Sequence, residues 1–305
     1  MSSRSVSPMS LIRTSWDIYT DEVLKLGYGY PLWHPPSDVH IGDVGFMSKG
    51  GFYRLFNAFE DKDHPLNKPY TLKDFIPFSY DASKLRRQER AIPEDHLCSP
   101  SIKISRAADL PGTYRVECAR NEKGAFLFFK DAVCEEILPH EELTEYIQAN
   151  WKSWLEISGM GMELDAKDLV FVRGHIKTSD WALSANDSAE RCSTAVVQEQ
   201  SSKDASTLFV IVMNNSFMEL RYGPLRKAST DETDSGRVEL NQCLFLLCVL
   251  LDGVAEPERG SSSPPSPQEQ NRYDADGDVE LKWIPVRIFF LPRDRRDISL
   301  HYRHQ

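Results

Sequence analysis

The sequence predicts a mainly β fold of the α+β class: an antiparallel β-sandwich or open barrel with one long amphipathic helix and one or two short helices. Short apolar runs with strand-like alternation recur along the chain, and turn residues separate them. A single segment has a long helical periodicity. The sequence does not alternate strands and helices through Gly-rich crossovers, which argues against a doubly wound parallel sheet.

The N-terminal part predicts a short helix followed by two strands. Apolar residues recur at helical spacing between Trp16 and Leu26, and the glycines and prolines of "GYGYPLWHPP" end that helix. The stretch "VHIGDVGFMSKGGFYRLFNAF" predicts two strands around a turn at 48–51. Residues 60–100 are polar and interrupted by proline, so we expect a long surface connection with one helical turn near 82–90.

The central part predicts a hairpin and then the longest helix. "TYRVECARNEKGAFLFFKD" has two strand-like runs around 121–124, which is typical of a β-hairpin. In "PHEELTEYIQANWKSWLEIS" the apolar residues form one stripe that includes Trp151 and Trp154, and glutamates occupy the N-terminal end. We interpret the two tryptophans as core anchors against a sheet; a platform for an aromatic ligand is the alternative.

The rest of the chain predicts more strands and one disordered insertion. The strands are expected at 169–173, 181–185, 194–198, 208–213, 217–222, 242–251 and 283–291. Asn214-Asn215 fits a hairpin turn between two of them. Segment 255–275 is rich in proline, serine and charge, so we expect it to be disordered. The prediction is therefore a disordered tail at 1–10 and a single β-rich domain formed by 11–254 together with 276–305.

Composition and charge bear on the partners and the compartment of the protein. The net charge of −10 disfavours non-specific binding to nucleic acid and to anionic lipid, so we expect neither nucleic acid nor a membrane as a partner. The N-terminus lacks the apolar core of a signal peptide, and the longest apolar run, Cys243–Leu251, is far shorter than the roughly 20 residues of a spanning helix. We therefore predict a cytoplasmic protein. Six cysteines without a CxxC pair predict reduced, mostly buried thiols.

The stretch "DLVFVRGHIKTSDWALSA" raises the question of a phosphate-binding loop. A Walker-type loop that ends in Lys177-Thr178 requires glycine at the positions of Phe171 and Ile176, and neither is glycine. A strand-like segment follows instead of a helix. We therefore predict a tight hairpin that turns beyond Gly174, with the side chains of the loop hydrogen-bonded within it.

Two groups of residues are candidates for binding. His175, Lys177, Thr178 and Asp180 are expected on one exposed turn beside Trp181, where they would bind an anion or a partner; an ordinary solvated turn is the alternative.

The second group is the aromatic arm that contains Tyr30 and Trp33. It would stack a ligand or, as the alternative, pack flat over the domain. No complete catalytic motif is found, and "DADGD" lacks the glycine and glutamate of a calcium-binding EF-hand loop, so we predict no catalytic residues, no metal and no cofactor.

Three stretches together resemble a known group of proteins: "LKLGYGYPLW…IGDVGFMSKGGFYRLFNA", "FVRGHIKTSDWALSA" and "LNQCLFLLCVLLDGV". The sequence is similar to a large group of uncharacterised intracellular proteins of mushroom-forming (agaricomycete) fungi over roughly residues 16–254. The resemblance implies an intracellular fungal protein and supplies no activity, cofactor or catalytic residues. The chain departs from the group at His175-Ile176, where the group tends to have Cys-Asp.

These observations favour a non-catalytic interaction or regulatory module with an as yet unknown protein partner. The alternative is a small-molecule binder or accessory enzyme of a fungal metabolic pathway. Its pocket would lie between sheet and helix, lined by Trp154, Trp181 and Phe209, with His175 or Lys177 at the mouth. A domain that only oligomerises is the third possibility.

Overall fold

The computed structural model describes residues 13–36, 38–68, 75–108, 110–158, 164–187, 193–201, 207–214, 218–223, 240–252 and 280–284. The tail predicted for 1–10, the insertion predicted for 255–275 and most of the strand predicted for 283–291 lie outside these residues.

The described residues are mainly strand, as the sequence predicts. The α-helices are α1 (Ser15–Leu24) and α2 (Glu141–Ser158), and Ala82–Lys84 and Ala166–Asp168 are short 3-10 helices. The strands are β1 (Tyr30–Pro31), β2 (Asp43–Ser48), β3 (Gly51–Asn57), β4 (Leu85–Gln88), β5 (His96–Cys98), β6 (Ile102–Arg106), β7 (Thr113–Cys118), β8 (Gly124–Phe129), β9 (Val133–Ile137), β10 (Leu169–Thr178), β11 (Trp181–Asn186), β12 (Ser193–Ser201), β13 (Thr207–Asn214), β14 (Met218–Gly223), β15 (Gln242–Asp252) and β16 (Glu280–Trp283). They form three sheets whose described pairings are antiparallel, and none of these sheets closes into a barrel.

The first sheet, here called the forked sheet, divides along one edge of β10. Its main path runs β1, β15, β10, β2, β3. One edge of β10 pairs with β15 along most of its length, whereas the other edge pairs with β2 over Leu169–Phe171 and with β9 over Gly174–Lys177. Strand β4 continues the β9 branch. A single strand therefore anchors two diverging branches.

The fork lies at Arg173 and Gly174. The register of β10 on β15 shifts between Val172 and Gly174, so Arg173 forms a bulge. A Cβ atom on Gly174 would lie 2.6 Å from both the Glu135 carbonyl oxygen and the Glu136 Cβ. The absent side chain is thus what lets β9 approach β10, because no larger residue fits there without displacing the β9 backbone.

A buried ion pair fills the space beside the fork. Arg173 donates to the Glu136 carboxylate, and both side chains are almost completely buried. Arg86 on β4 brings a second guanidinium to 3.9 Å from the same carboxylate. Since an unpaired charge inside the protein is strongly destabilising, Arg173 and Glu136 depend on each other and tie the β9 branch to β10.

The other two sheets pack face to face as a β-sandwich. The middle sheet has the order β14, β11, β8, β5, and the outer sheet has the order β13, β12, β7, β6. On β8, Phe126 and Phe128 belong to the core shared with the outer sheet, whereas Leu127 and Phe129 belong to the core shared with α1 and the forked sheet. The middle sheet is therefore covered on both faces.

Both helices predicted from periodicity are confirmed, and each covers a sheet. Helix α1 packs Ile18, Tyr19 and Val23 into the core between the middle and forked sheets. Helix α2 packs Leu143, Ile147 and Trp154 on the forked sheet, and the Trp154 ring lies 5.8 Å from that of Phe56. Trp154 is thus a core anchor, as we interpret it from the sequence.

Several predicted connections are wrong. The strands on either side of the hairpin turn expected at Asn214-Asn215 do not pair, because β13 lies in the outer sheet and β14 in the middle sheet. The hairpin expected around 121–124 does not exist, because β7 lies in the outer sheet and β8 in the middle sheet. The residues "GAFLFF" make β8 apolar on both faces. Such a strand is buried in a central sheet that other elements cover on each side, as the middle sheet is here. The surface connection expected at 60–100 contains β4 and β5, which are too short and too polar to show an alternating pattern.

We expect Gly174→Ala to lower the free energy of unfolding by about 2 kcal/mol or more, because the added methyl group meets β9 backbone atoms that have no room to move. Urea denaturation of the purified protein measures this. The matched control is Gly51→Ala, where the nearest atom to a new Cβ is 3.7 Å away; its effect should stay within about 0.5 kcal/mol. Equal effects of the two substitutions would contradict the assigned role of Gly174.

Candidate functional site

The predicted exposed turn at 175–181 is wrong. Strand β10 continues through Thr178, and after Ser179 and Asp180 the chain enters β11, which pairs with β8 and β14 and not with β10. The segment therefore carries the chain from the forked sheet to the middle sheet. Thr178 and Asp180 are at most 1% exposed, because such a corner passes between two packed layers.

The polar groups of this corner support a neighbouring turn. The Lys130 amide donates to the Thr178 hydroxyl oxygen at 3.1 Å and to the Asp180 carbonyl oxygen at 3.1 Å, and the Thr178 hydroxyl donates to the Lys130 carbonyl. Thr178 and Asp180 are thus structural, since their hydrogen bonds join β10 and β11 to the end of β8.

His175 and Lys177 lie on the face of the forked sheet that the N-terminal arm covers. His175 is opposite Leu246 on β15, which is in turn opposite Tyr30 on β1, so these three residues form a cross-strand row. The Lys177 ammonium donates to the Val39 carbonyl at 2.7 Å. Two predicted site residues, His175 and Tyr30, therefore lie in one cross-strand row, and Lys177 holds the arm through Val39.

Trp33 and Trp181 lie on the opposite side, in the core shared by α1, the forked sheet and the middle sheet. The Trp33 ring meets the Tyr19 ring edge-on at 5.3 Å. The Trp181 indole N–H donates to the Gln242 side chain at 3.3 Å, and its six-membered ring leaves no space for a side chain at Gly223. Both tryptophans are consequently held rigidly.

The pocket predicted between sheet and helix does not form from the expected residues. Trp154, Trp181 and Phe209 belong to three separate cores. The interface of α2 with the forked sheet is filled by side chains such as Phe56 and Phe171.

An open groove does form where Trp181 reaches the surface. We call it the Trp181 groove; it has a volume of about 340 Å³ and is lined by His34, Pro35, Pro36, Gly51, Phe52, Tyr53, Trp181 and Arg221. The arm after β1, the start of β3, the start of β11 and the end of β14 supply these residues. The groove thus lies at the junction of the forked and middle sheets, and its surface is mostly aromatic rings and prolines.

Arg221 is the charged group of the Trp181 groove. Its guanidinium carbon lies 5.9 Å from the centre of the Trp33 ring, and one of its nitrogens lies 3.2 Å from His34 Nε2. Among the described residues, no carboxylate forms a direct ion pair with Arg221, although Glu219 on the same strand attracts it from a greater distance. Burial lowers the pKa of Arg221 from its usual value, although an arginine stays charged at neutral pH. The groove therefore presents a partly desolvated cation with free capacity for an anion.

The β2–β3 hairpin is fixed against the arm, which gives the Trp181 groove its shape. The His34 amide donates to the Gly50 carbonyl at 3.1 Å. Gly50 has φ +74°, and a Cβ atom there would lie 2.6 Å from Trp33 Cβ. Glycine at the turn thus permits both the left-handed backbone and the close contact with Trp33.

The lining of the Trp181 groove has one imidazole, that of His34, and one guanidinium. It has no serine, cysteine, aspartate or glutamate. Burial and the adjacent Arg221 lower the pKa of His34, which keeps that imidazole neutral at pH 7. Elsewhere, burial raises the pKa of Cys134, Cys243 and Cys248 to about 12, so these thiols are not nucleophiles.

In the described part of the chain, no three His, Cys, Asp or Glu side chains are grouped so as to hold a metal ion. Neither described α-helix is both long and apolar enough to cross a membrane.

Sequence reasoning found Trp181 and Trp33 but missed Arg221, His34 and Tyr53. Tyr53 is 50% exposed, which is unusual for an aromatic residue on a strand. The alternation of apolar and polar residues along β3 does not reveal this exposure. Arg221 lies on β14, far from Trp33 in sequence, and only the packing of the middle sheet against the arm brings them together.

The comparisons with known proteins give no family for this chain. A scan against models of protein families found no match, and a search among curated proteins found no significant match. The resemblance to the fungal group stays a prediction.

The buried imidazole of His175 should make stability depend on pH. Burial, with Lys177 and other nearby cations, lowers the pKa of His175 to about 3, whereas an unfolded histidine titrates near 6.5. Between these values the unfolded chain binds more protons, so stability falls as pH falls below about 6.5. From pH 6.5 to 5 the wild type should lose roughly 1.5 kcal/mol more than His175→Leu.

Urea denaturation across this pH range measures the difference. His64→Gln, which removes a histidine that is about 38% exposed, should keep the wild-type pH dependence. Parallel curves for wild type and His175→Leu would contradict the prediction.

Proposed function

We propose that this protein is a non-catalytic binding module that captures an acidic segment of a partner protein in the Trp181 groove. The observation that carries the proposal is Arg221: a partly buried guanidinium, backed by an indole ring, that attracts Glu219 through space but makes no direct ion pair with a carboxylate among the described residues. A carboxylate from another molecule would supply the missing ion pair, and an arginine binds a carboxylate through two parallel hydrogen bonds.

The shape and lining of the groove favour a peptide segment over a small molecule. The groove is open, and its volume of about 340 Å³ is at the small end for ligand pockets. A small anion would leave most of its own surface in water. A peptide covers Tyr53 and the two prolines as well, and exposed aromatic rings beside an arginine are typical of the centres of protein interfaces.

The proposed function is still that of an interaction module, as the sequence favours, but the binding site is the Trp181 groove and not the turn at 175–181. The predicted residues Thr178 and Asp180 contribute structure, Trp181 contributes a wall, and Arg221, Tyr53 and His34 contribute the contact surface. The partner's identity and the cytoplasmic location remain part of the proposal.

Selection from a displayed library of random 12-residue peptides tests this function. We expect enrichment of peptides with Asp or Glu next to an apolar residue. Arg221→Gln should weaken the selected peptides about tenfold or more, because a charge-assisted hydrogen bond contributes roughly 1.5–3 kcal/mol. Tyr53→Ala should weaken them as well, with titration calorimetry as the measurement.

Tyr222→Ala is the matched control. Tyr222 neighbours Arg221 in sequence and is 42% exposed, but it does not line the groove, so its replacement should change affinity less than twofold. Enrichment of no peptide, or of peptides that bind Arg221→Gln as tightly as wild type, would refute the proposed function.

A further inference from the structure

Strand β3 ends the main path of the forked sheet and has an open edge. It pairs with β2 on one side. In the described part of the chain, no backbone hydrogen bond joins residues 51–56 to a segment other than β2. An open edge presents alternating N–H and C=O groups that can accept a further strand.

The open stretch has defined ends. At one end the Gly50 carbonyl accepts a hydrogen bond from the His34 amide. At the other end the Asn67 side chain binds both the amide and the carbonyl of Asn57, at 2.7 and 3.0 Å. Gly51, Leu55 and Phe56 are buried and Leu55 forms a bulge against β2, so the accessible part of the edge is residues 52–54, about 10 Å long at 3.3 Å per residue.

Two pockets lie beside this edge. The Trp181 groove is one; the second, here called the Leu66 pocket, has a volume of about 400 Å³ and is lined by Asp38, Val39, Asp43, Phe52, Tyr53, Arg54, Leu55, Pro65 and Leu66. Phe52 and Tyr53 line both pockets. Since consecutive strand residues point to opposite faces, pockets that share such a pair border the edge itself.

The two pockets differ in charge. In the Leu66 pocket, Arg54 donates to the Asp38 carboxylate at 3.1 Å and to the Asp43 carboxylate at 3.3 Å. Two carboxylates share this one guanidinium, and Asp38 stays 68% exposed, whereas Val39, Leu55 and Leu66 form the apolar part of the lining. The Trp181 groove instead has the cation of Arg221. The Leu66 pocket thus suits a large apolar side chain, and the Trp181 groove suits an acidic one.

We propose that the partner segment adds to β3 as an extra strand, with its acidic side chain in the Trp181 groove and a large apolar side chain in the Leu66 pocket. This inference rests on the proposed function and specifies its binding mode. Main-chain hydrogen bonds to residues 52–54 would supply affinity, and the two pockets would supply specificity and register.

The test uses the peptides that the library selection yields. Each is resynthesised with a single N-methyl group at successive positions, which removes one backbone donor at a time. A bound strand donates from every second residue to its neighbour. N-methylation should therefore weaken binding about tenfold at alternate positions and less than twofold between them. Hydrogen exchange should show slower exchange of alternate amides within 52–54 in the complex.

The Leu66 pocket has its own readout. Leu66→Ala should weaken peptides that carry a large apolar residue about fivefold or more, and should leave variants of the same peptides with alanine at that position unchanged. Leu24→Ala, which truncates a leucine of α1 that is 38% exposed, should change neither affinity.

The outcomes separate the two proposals. If no peptide binds, the proposed function and this inference both fail. If peptides bind through Arg221 without the alternating N-methyl pattern and without protection of 52–54, the function stands and the added strand is refuted. If the free protein forms a dimer in which these amides are already protected, a second copy of the chain occupies the edge, and the inference is likewise refuted.

Discussion

The continuation of β10 through Gly174 is the constraint on which the rest of the structure depends. One edge of this strand carries β15, and the other carries β2 and β9 in succession. The pairing with β2 places the β2–β3 hairpin, and the end of β10 at Thr178 places Trp181. Both walls of the Trp181 groove are therefore set by a single strand, whose branching requires a residue without a side chain.

Polar groups secure this arrangement from within. The buried carboxylate of Glu136 forms ion pairs with both Arg173 and Arg86 beside the fork. Lys177 holds the arm through the Val39 carbonyl, and Thr178 holds the turn after β8 through Lys130. A buried polar group without a partner is costly, so each of these contacts restricts how neighbouring layers slide or rotate. Such restriction keeps Trp33, Trp181 and Arg221 in fixed positions before anything binds, which reduces the entropy lost on binding.

Stability and the proposed recognition of a partner depend on different parts of the structure. The middle sheet is buried on both faces and gives the domain its core, whereas β3 at the margin of the forked sheet keeps an open edge between two pockets. Natural proteins usually protect such edges, because unpaired strands promote aggregation. In this protein the hairpin turn and the buried bulge at Leu55 limit the open part of β3 to residues 52–54, and the charges of Arg54, Asp38 and Arg221 border it. The edge is thus restricted in length and selective in what it accepts.

The sequence by itself determined the local elements: α1, α2 and most strands follow from periodicity, and the mainly β, antiparallel class follows from their number and order. It also marked Trp33 and Trp181. It did not determine which strands pair. Turn residues after β7 and β10 suggest hairpins, yet β8 and β11 pair in another sheet because apolar side chains on both of their faces must be buried. Strand pairing and the joining of Arg221 to Trp33 were decided by tertiary structure alone, since the burial of each layer depends on residues far away in the chain.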